Sequence, residues 1–274
     1  MKKTIFVSGL PRAMTTLMCN VLANNPRIGG GETSPLLEYI YAARANYSQT
    51  PEVKSSLTEF EMTDSFVSFC KGGMESYAQT ITKKEIYVDK SRGWLHYQPF
   101  LKKAIPNPKI IVMVRDLRAI VASFEKKWRD NPLVMDVRDN PQQQEFVTVE
   151  QRVNRFMQDA PLGIAMKRLY NAIETKTINE MLVIRAEDLT SNPKKTMERV
   201  YEYIEEPYFD LDYSKIQQVT VENDRIADFG IYGDHKIRTD IQSMKKDYNE
   251  ILGAPICNSI KANHQWYFDI YKYF

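Results

Sequence analysis

The sequence predicts an α/β protein, a parallel β-sheet flanked by helices on both faces. Three observations carry this. Short strand-like apolar runs alternate with helical patterns along the chain. The strongest runs are near-continuous rather than alternating, as expected of strands covered on both sides. The first strand also passes through a Gly-Leu-Pro turn directly into a helix. In a sheet of this class, ligands bind at the carboxyl ends of the strands.

Taken in order, Ile5-Phe6-Val7 is β-branched and aromatic and opens the sheet, and 15–22 carries the apolar residues of a helix. Ile86-Tyr87-Val88 is a second short strand. The run 109–114 is the strongest, and 181–184 repeats its signature. Helical patterns fill 58–81, 95–104, 117–128, 148–174 and 193–205. Pro, Asn and charged residues cluster at 131–142, which reads as a mobile surface loop. The segment 207–238 is rich in Tyr, Asp and Gly without clear period, so irregular structure and a candidate lid are expected there. The aromatic tail from Trp266 to Phe274 has near-helical spacing and reads as core or docking surface. No repeat, low-complexity tract or linker stands out, which predicts a single domain over 1–274.

Composition narrows the functional classes. The chain has 274 residues, 43% hydrophobic and 26% charged, which fits an ordinary folded soluble protein. Its formal charge of +2 argues against a general nucleic-acid coat, so any basic site must be built locally. Cys19, Cys70 and Cys257 are odd in number and far apart, suiting neither a disulfide framework nor a zinc ladder. A reducing, cytoplasmic location is the simplest expectation. The start has two lysines but only a very short apolar run, and no stretch elsewhere reaches about 18 consecutive apolar residues, so neither a signal peptide nor a membrane span is expected. His235 and His264 lack Cys or His partners at ligand spacing, and no metal site is expected.

Gly9-Leu10-Pro11-Arg12-Ala13-Met14-Thr15-Thr16 has the length and position of a phosphate-binding loop. Met14 stands where the second Gly would be and Thr15 where a nucleotide-triphosphate loop has Lys. What remains is exposed amides at a helix N-terminus, two hydroxyls and the permanent cation of Arg12, a set that suits an anion. The segment resembles the 5′-phosphosulfate loop of sulfotransferases that use 3′-phosphoadenosine 5′-phosphosulfate (PAPS), with Ala13-Met14 where that family usually has Ser-Gly. A second segment, Val112-Met113-Val114-Arg115-Asp116-Leu117-Arg118-Ala119-Ile120-Val121-Ala122-Ser123, resembles the family's 3′-phosphate site, in which an Arg at a strand end and a Ser eight residues later hold the phosphate. Arg115 leaves the strand tip and Ser123 sits about two helical turns on. The likeness covers about 5–35, 86–128 and 180–205 and implies a P-loop-like three-layer sandwich.

The resemblance also suggests catalytic groups. Three glycines, Gly29-Gly30-Gly31, precede Glu32 and read as a tight turn. In the tyrosylprotein sulfotransferase branch, a similar turn carries a Glu proposed as general base, and Glu32 matches that position. Lys90, just after the second strand, matches a Lys that touches the sulfonate and leaving oxygen. His96 is the rival base, since other branches use His. Arg185 opens a turn like the family's aromatic-Glu-Asp-Leu, in which Glu187 and Asp188 shape the helix start. Lys236 and Arg238 lie where family members bring a late basic loop over the cofactor.

The implied activity is sulfuryl transfer from PAPS to a hydroxyl or amine of a small molecule or peptide, releasing 3′-phosphoadenosine 5′-phosphate (PAP), without metal. A P-loop kinase of a nucleoside or small molecule, and a noncatalytic nucleotide-binding protein of the same fold, remain open alternatives. Acceptor and oligomeric state are not legible.

Overall fold

The computed structural model describes residues 3–56, 59–130, 148–224, 235–244 and 246–274. The loop expected at 131–142 and part of 207–238 lie outside them. Five parallel strands form one sheet: β1 (Lys3–Gly9), β2 (Ile28–Thr33), β3 (Ile86–Lys90), β4 (Lys109–Val114) and β5 (Leu182–Arg185), in the order β2-β3-β1-β4-β5. Every residue of β3 and β4 is buried. Successive side chains point to opposite faces, so both faces of the sheet are covered.

The strand the sequence reading did not find is β2. Its Gly29-Gly30-Gly31 was expected as a turn, because glycine-rich segments read as punctuation. In fact Gly29 and Gly30 pair with Tyr87 and Val88 of β3, and the register is irregular between Gly30 and Thr33. Gly30 and Gly31 have φ of 88° and 105°. A Cβ on Gly30 would lie 2.5 Å from the Tyr87 ring, and one on Gly31 would lie 2.9 Å from Cys19 Cβ. The glycines let an edge strand run close against its neighbours rather than reverse the chain.

Between the strands lie α1 (Thr15–Ala23), α2 (Leu36–Gln49), α3 (Pro51–Ser56), α4 (Glu59–Ile81), α5 (Gln98–Ala104), α6 (Leu117–Asp130), α7 (Val149–Gln158) and α8 (Leu162–Glu174). The helical pattern expected over 148–174 is two helices, interrupted where Pro161 lacks an N–H. After β5 come α9 (Ala186–Ser191), α10 (Pro193–Tyr203), α11 (Tyr248–Leu252), α12 (Ala254–Asn263) and α13 (Gln265–Tyr271). Tyr267, Phe268, Tyr271 and Tyr273 of the aromatic tail belong to the core, while Phe274 is exposed; Tyr267 is fully buried and its ring stacks on Tyr273 at 5.7 Å. Its hydroxyl donates to the Arg115 carbonyl at 2.7 Å, pinning the end of β4. Among the described residues, no helix is long and apolar enough to cross a membrane.

β1 is central, and the chain crosses from one side of it to the other between β3 and β4. Such a crossing opens a crevice at the carboxyl ends of the strands. Gly9 ends β1 at φ 138°, where a Cβ would lie 2.2 Å from the Met113 carbonyl oxygen of β4. The Leu10 amide donates to that same oxygen at 2.9 Å, which turns the chain into the loop before α1.

Candidate active site

A cleft of about 720 Å³ opens at the carboxyl ends of β1, β3 and β4. Its wall collects Pro11, Arg12, Met14, Thr15 and Thr16 from the first loop, Lys90 from β3, Arg115 and Ser123 from the second motif, and Lys236 and Arg238 from the late loop. Arg92 and Lys126 also line it, so among the described residues seven Lys and Arg side chains face two carboxylates, Asp240 and Asp247. A chain of formal charge +2 thus concentrates positive charge in one crevice, which favours an anionic ligand.

The loop is held in a costly conformation. Arg12 and Met14 have φ of 58° and 64°, a left-handed region that glycine reaches freely and L-residues rarely enter. Met14 is the N-cap of α1 and offers no side-chain cap, and no acidic residue occupies the first turn. The first amides of α1 therefore open into the cleft with the positive end of the helix dipole behind them. The Thr15 and Thr16 hydroxyls stand beside them, while Ala13 is fully buried and anchors the loop from below.

Arg115 ties the second motif to the first. Its Nη1 donates to the Arg12 carbonyl at 2.8 Å, and Arg12 Nε donates to Ser123 Oγ at 3.0 Å. Among the described residues, Arg115 Nε is buried without a hydrogen-bond partner. Burial pushes this guanidinium below its ordinary pKa against the pull of Glu187, and the neighbouring Arg12 charge lowers it further. Two guanidiniums forced together, one incompletely satisfied, form a site that an anion would relieve.

Lys90 is buried, and its Nζ bonds Glu222 and lies 3.4 Å from Thr16 Oγ1. Its sequence neighbour Asp89 faces the opposite side of the sheet, where it accepts from Tyr87 Oη at 2.8 Å and Trp94 Nε1 at 2.6 Å. Burial raises the Asp89 pKa despite those donors. His235 also lines the cleft, with Nε2 3.1 Å from Glu222 Oε2 and Nδ1 on Asp224.

Four residues expected at the site lie off the cleft wall, the first being Ala13, buried beneath the loop. Glu32 is part of β2, and it is its neighbour Thr33 that reaches the cleft. His96 sits in the turn after β3 with its side chain exposed and its ring edge-on to Tyr97, because the buried positions of that turn are taken by Trp94 and Leu95. Arg185 is engaged at its own turn: Nε and Nη2 hold Asp188 at 3.0 and 2.5 Å, and Nη1 donates to the Tyr271 carbonyl at 3.3 Å. Conversely, Glu222 and His235 were not read as site residues. Their segment has no periodicity, and only the folded chain brings them to β3.

A family model described as "Sulfotransferase family" matches residues 4–210. Protein-tyrosine sulfotransferase 2 of Gallus gallus is 30% identical over 125 residues, 44% of this chain and 33% of that protein. Protein-tyrosine sulfotransferase 1 of Homo sapiens is 31% identical over a stretch with the same coverage of both chains. A putative protein-tyrosine sulfotransferase of Caenorhabditis briggsae is 27% identical over 186 residues, 66% of this chain and 63% of that one. The matched segment thus spans about a third of the length of the first two relatives. Among solved structures, the sulfotransferase domain from the curacin biosynthetic pathway aligns with a TM-score of 0.52 at 15% identity, covering 96% of this chain and 97% of that one. At that identity the likeness is one of fold.

Proposed function

The chain belongs to the sulfotransferase family, and on that premise we propose that it transfers a sulfuryl group from PAPS to a hydroxyl or amine acceptor, releasing PAP. The observation that carries the reading is the junction of Arg12, Arg115 and Ser123 in one cationic cleft. When bound, PAPS supplies an activated sulfuryl group on a phosphate leaving group. The amides at the start of α1, the Thr15 and Thr16 hydroxyls and Arg12 would hold its phosphosulfate end. Arg115 and Ser123 would hold the 3′-phosphate, with Lys236 and Arg238 adding charge from the late loop. Among the described residues, neither of these last two forms an ion pair.

The cleft residues also have roles in the transfer itself. Lys90 and Arg12 stabilise negative charge as it develops on the departing oxygen, in a site whose donors are already oriented. A carboxylate that takes the acceptor proton completes the reading. Glu32 holds that position by resemblance, and its neighbour Thr33 brings β2 to the cleft edge. The acceptor class is a small molecule or a peptide.

The test is the shift in melting temperature on adding PAP, compared with ADP in the presence and absence of Mg²⁺. A shift with PAP alone supports the reading. Equal shifts, or a larger one with ADP and Mg²⁺, would favour a kinase-type site.

A further inference from the structure

Glu222 lies behind the cleft wall and holds three groups that form it. Oε1 pairs with the Lys90 ammonium, while Oε2 accepts from Thr33 Oγ1 at 2.7 Å and faces His235 Nε2 at 3.1 Å. Lys90, Thr33 and His235 all line the cleft. The Lys90 and Glu222 side chains are only 7% and 9% exposed, so solvent screens their attraction little. Breaking such a pair by removing one partner leaves the other buried and uncompensated.

The chain carrying Glu222 is itself anchored to the helix that opens into the cleft. Asn20 of α1, fully buried, accepts from the Val219 and Thr220 amides at 2.6 and 3.0 Å and donates to Thr220 Oγ1 at 2.8 Å. Glu222 therefore stands at a fixed distance from the start of α1. An unrestrained lysine stem has many rotamers. Here one N–H of Lys90 is committed to Glu222 and a second points towards Thr16 Oγ1 at 3.4 Å, which, among the described residues, leaves the third for an anion in the cleft.

We propose that Glu222 is a positioning residue for sulfuryl transfer, acting through Lys90. The proposal rests on the PAPS-dependent reading above. It gives the opposite sign from simple electrostatics. A carboxylate that served only as a counter-charge would repel an anionic ligand, and neutralising it would tighten PAPS and PAP alike. A carboxylate that aims Lys90 would instead, when neutralised, cost affinity for the sulfonate, which PAPS carries and PAP lacks.

The experiment measures dissociation constants for PAPS and PAP by calorimetry without acceptor, in the whole chain and in Glu222→Gln, Glu222→Asp, Lys90→Met and the Lys90→Met/Glu222→Gln double variant. In Glu222→Gln the preference for PAPS over PAP should fall roughly tenfold, the worth of one charge-assisted hydrogen bond, with PAP affinity within about twofold of the parent. Lys90→Met should lower the preference similarly, and the double variant should lose nothing beyond Lys90→Met. Glu222→Asp keeps the charge but shortens the reach. It should show a smaller fall, and it carries the test if Glu222→Gln does not fold. A preference unchanged or raised in the Glu222 variants, or unchanged in Lys90→Met, would overturn the proposal while leaving the donor reading intact. A parent chain that binds neither ligand would overturn both.

Discussion

Arg12 Nε donates to Ser123 Oγ at 3.0 Å across 111 residues of sequence, and this contact makes one site of two motifs. One lies in the loop after β1, the other at the start of the helix after β4. Because β1 and β4 are neighbours in register, with Gly9 opposite Met113, their carboxyl ends and the helices that follow emerge side by side. The Arg115 bond to the Arg12 carbonyl closes the same junction from below.

The junction predicts a specific ligand preference. PAP should stabilise the protein without metal, by about 2.7 kcal/mol at one hundred times its dissociation constant, and ADP by clearly less. Arg115→Ala should abolish the difference between the two nucleotides, since it removes the charge-assisted contact to the 3′-phosphate. Thermal melts of the parent and the variant check both statements. Equal stabilisation of the parent by PAP and ADP would remove the 3′-phosphate assignment.

Arg12 is expected to serve both binding and chemistry. Arg12→Ala should weaken PAPS binding and slow transfer together, and Arg12→Lys should recover only part. The guanidinium is a planar fork whose Nε holds Ser123, whereas an ammonium is a point charge that cannot reproduce that geometry. Titration calorimetry with single-turnover rates would reveal the split. A folded Arg12→Ala protein with unchanged binding and turnover would assign the loop to structure alone.

Gly9 offers a stability test independent of ligand. An alanine there would place Cβ 2.2 Å from a backbone oxygen of the neighbouring strand β4 at a φ of 138°. Neither β1 nor β4 can shift without disturbing the sheet, so Gly9→Ala should cost about 3 kcal/mol or more. Chemical denaturation measures it; a cost below about 1 kcal/mol would contradict the close packing of the two strand ends.

The sequence reading and the folded chain agree where side-chain type and period carry the signal. The apolar run of β4 and the strand–loop–helix opening were legible, and so were Arg12 and Arg115 as cations at strand ends. The edge strand β2 was not, because its glycines report backbone freedom and that freedom serves a strand here. His96 was attractive only for its imidazole, and burial, which periodicity over so short a turn does not reveal, leaves it outside. Arg185 illustrates the same gap: its partners are Asp188, three residues on, and a carbonyl 86 residues away. Glu222 reaches Lys90 through irregular chain, where no pattern links sequence to position.

The cysteines should be unreactive in the native protein. Burial pushes the Cys19 thiol up to about 12 against the pull of Lys90, and burial also raises Cys70 and Cys257. At pH 8 a thiol with a pKa near 12 is thiolate in about one molecule in 10⁴. A thiol reagent should therefore label the folded protein slowly and all three cysteines once denaturant is added. Rapid labelling of Cys19 in the folded state would mean that the packing between α1 and β2 opens readily.

The identity of the base is the sharpest question, and Glu32 and His96 separate in paired variants. Glu32 lies on β2 one residue before Thr33, which reaches the cleft, whereas His96 is exposed beyond the end of β3. If Glu32 takes the acceptor proton, Glu32→Gln should keep the fold and PAP affinity while turnover falls roughly 10²- to 10⁴-fold, the usual worth of general-base catalysis. If Glu32 only supports the turn into α2, the same change should cost about 1 kcal/mol of stability or less and leave turnover nearly intact. His96→Asn should be close to silent in both measurements, because its side chain faces solvent and its ring meets Tyr97 edge-on. The reverse pattern, a large loss in His96→Asn with an active Glu32→Gln, would move the base to His96 and require the turn after β3 to repack when acceptor binds. Release of PAP from PAPS across a panel of hydroxylated small molecules and tyrosine-containing peptides comes first, since it supplies the acceptor against which both variants are measured.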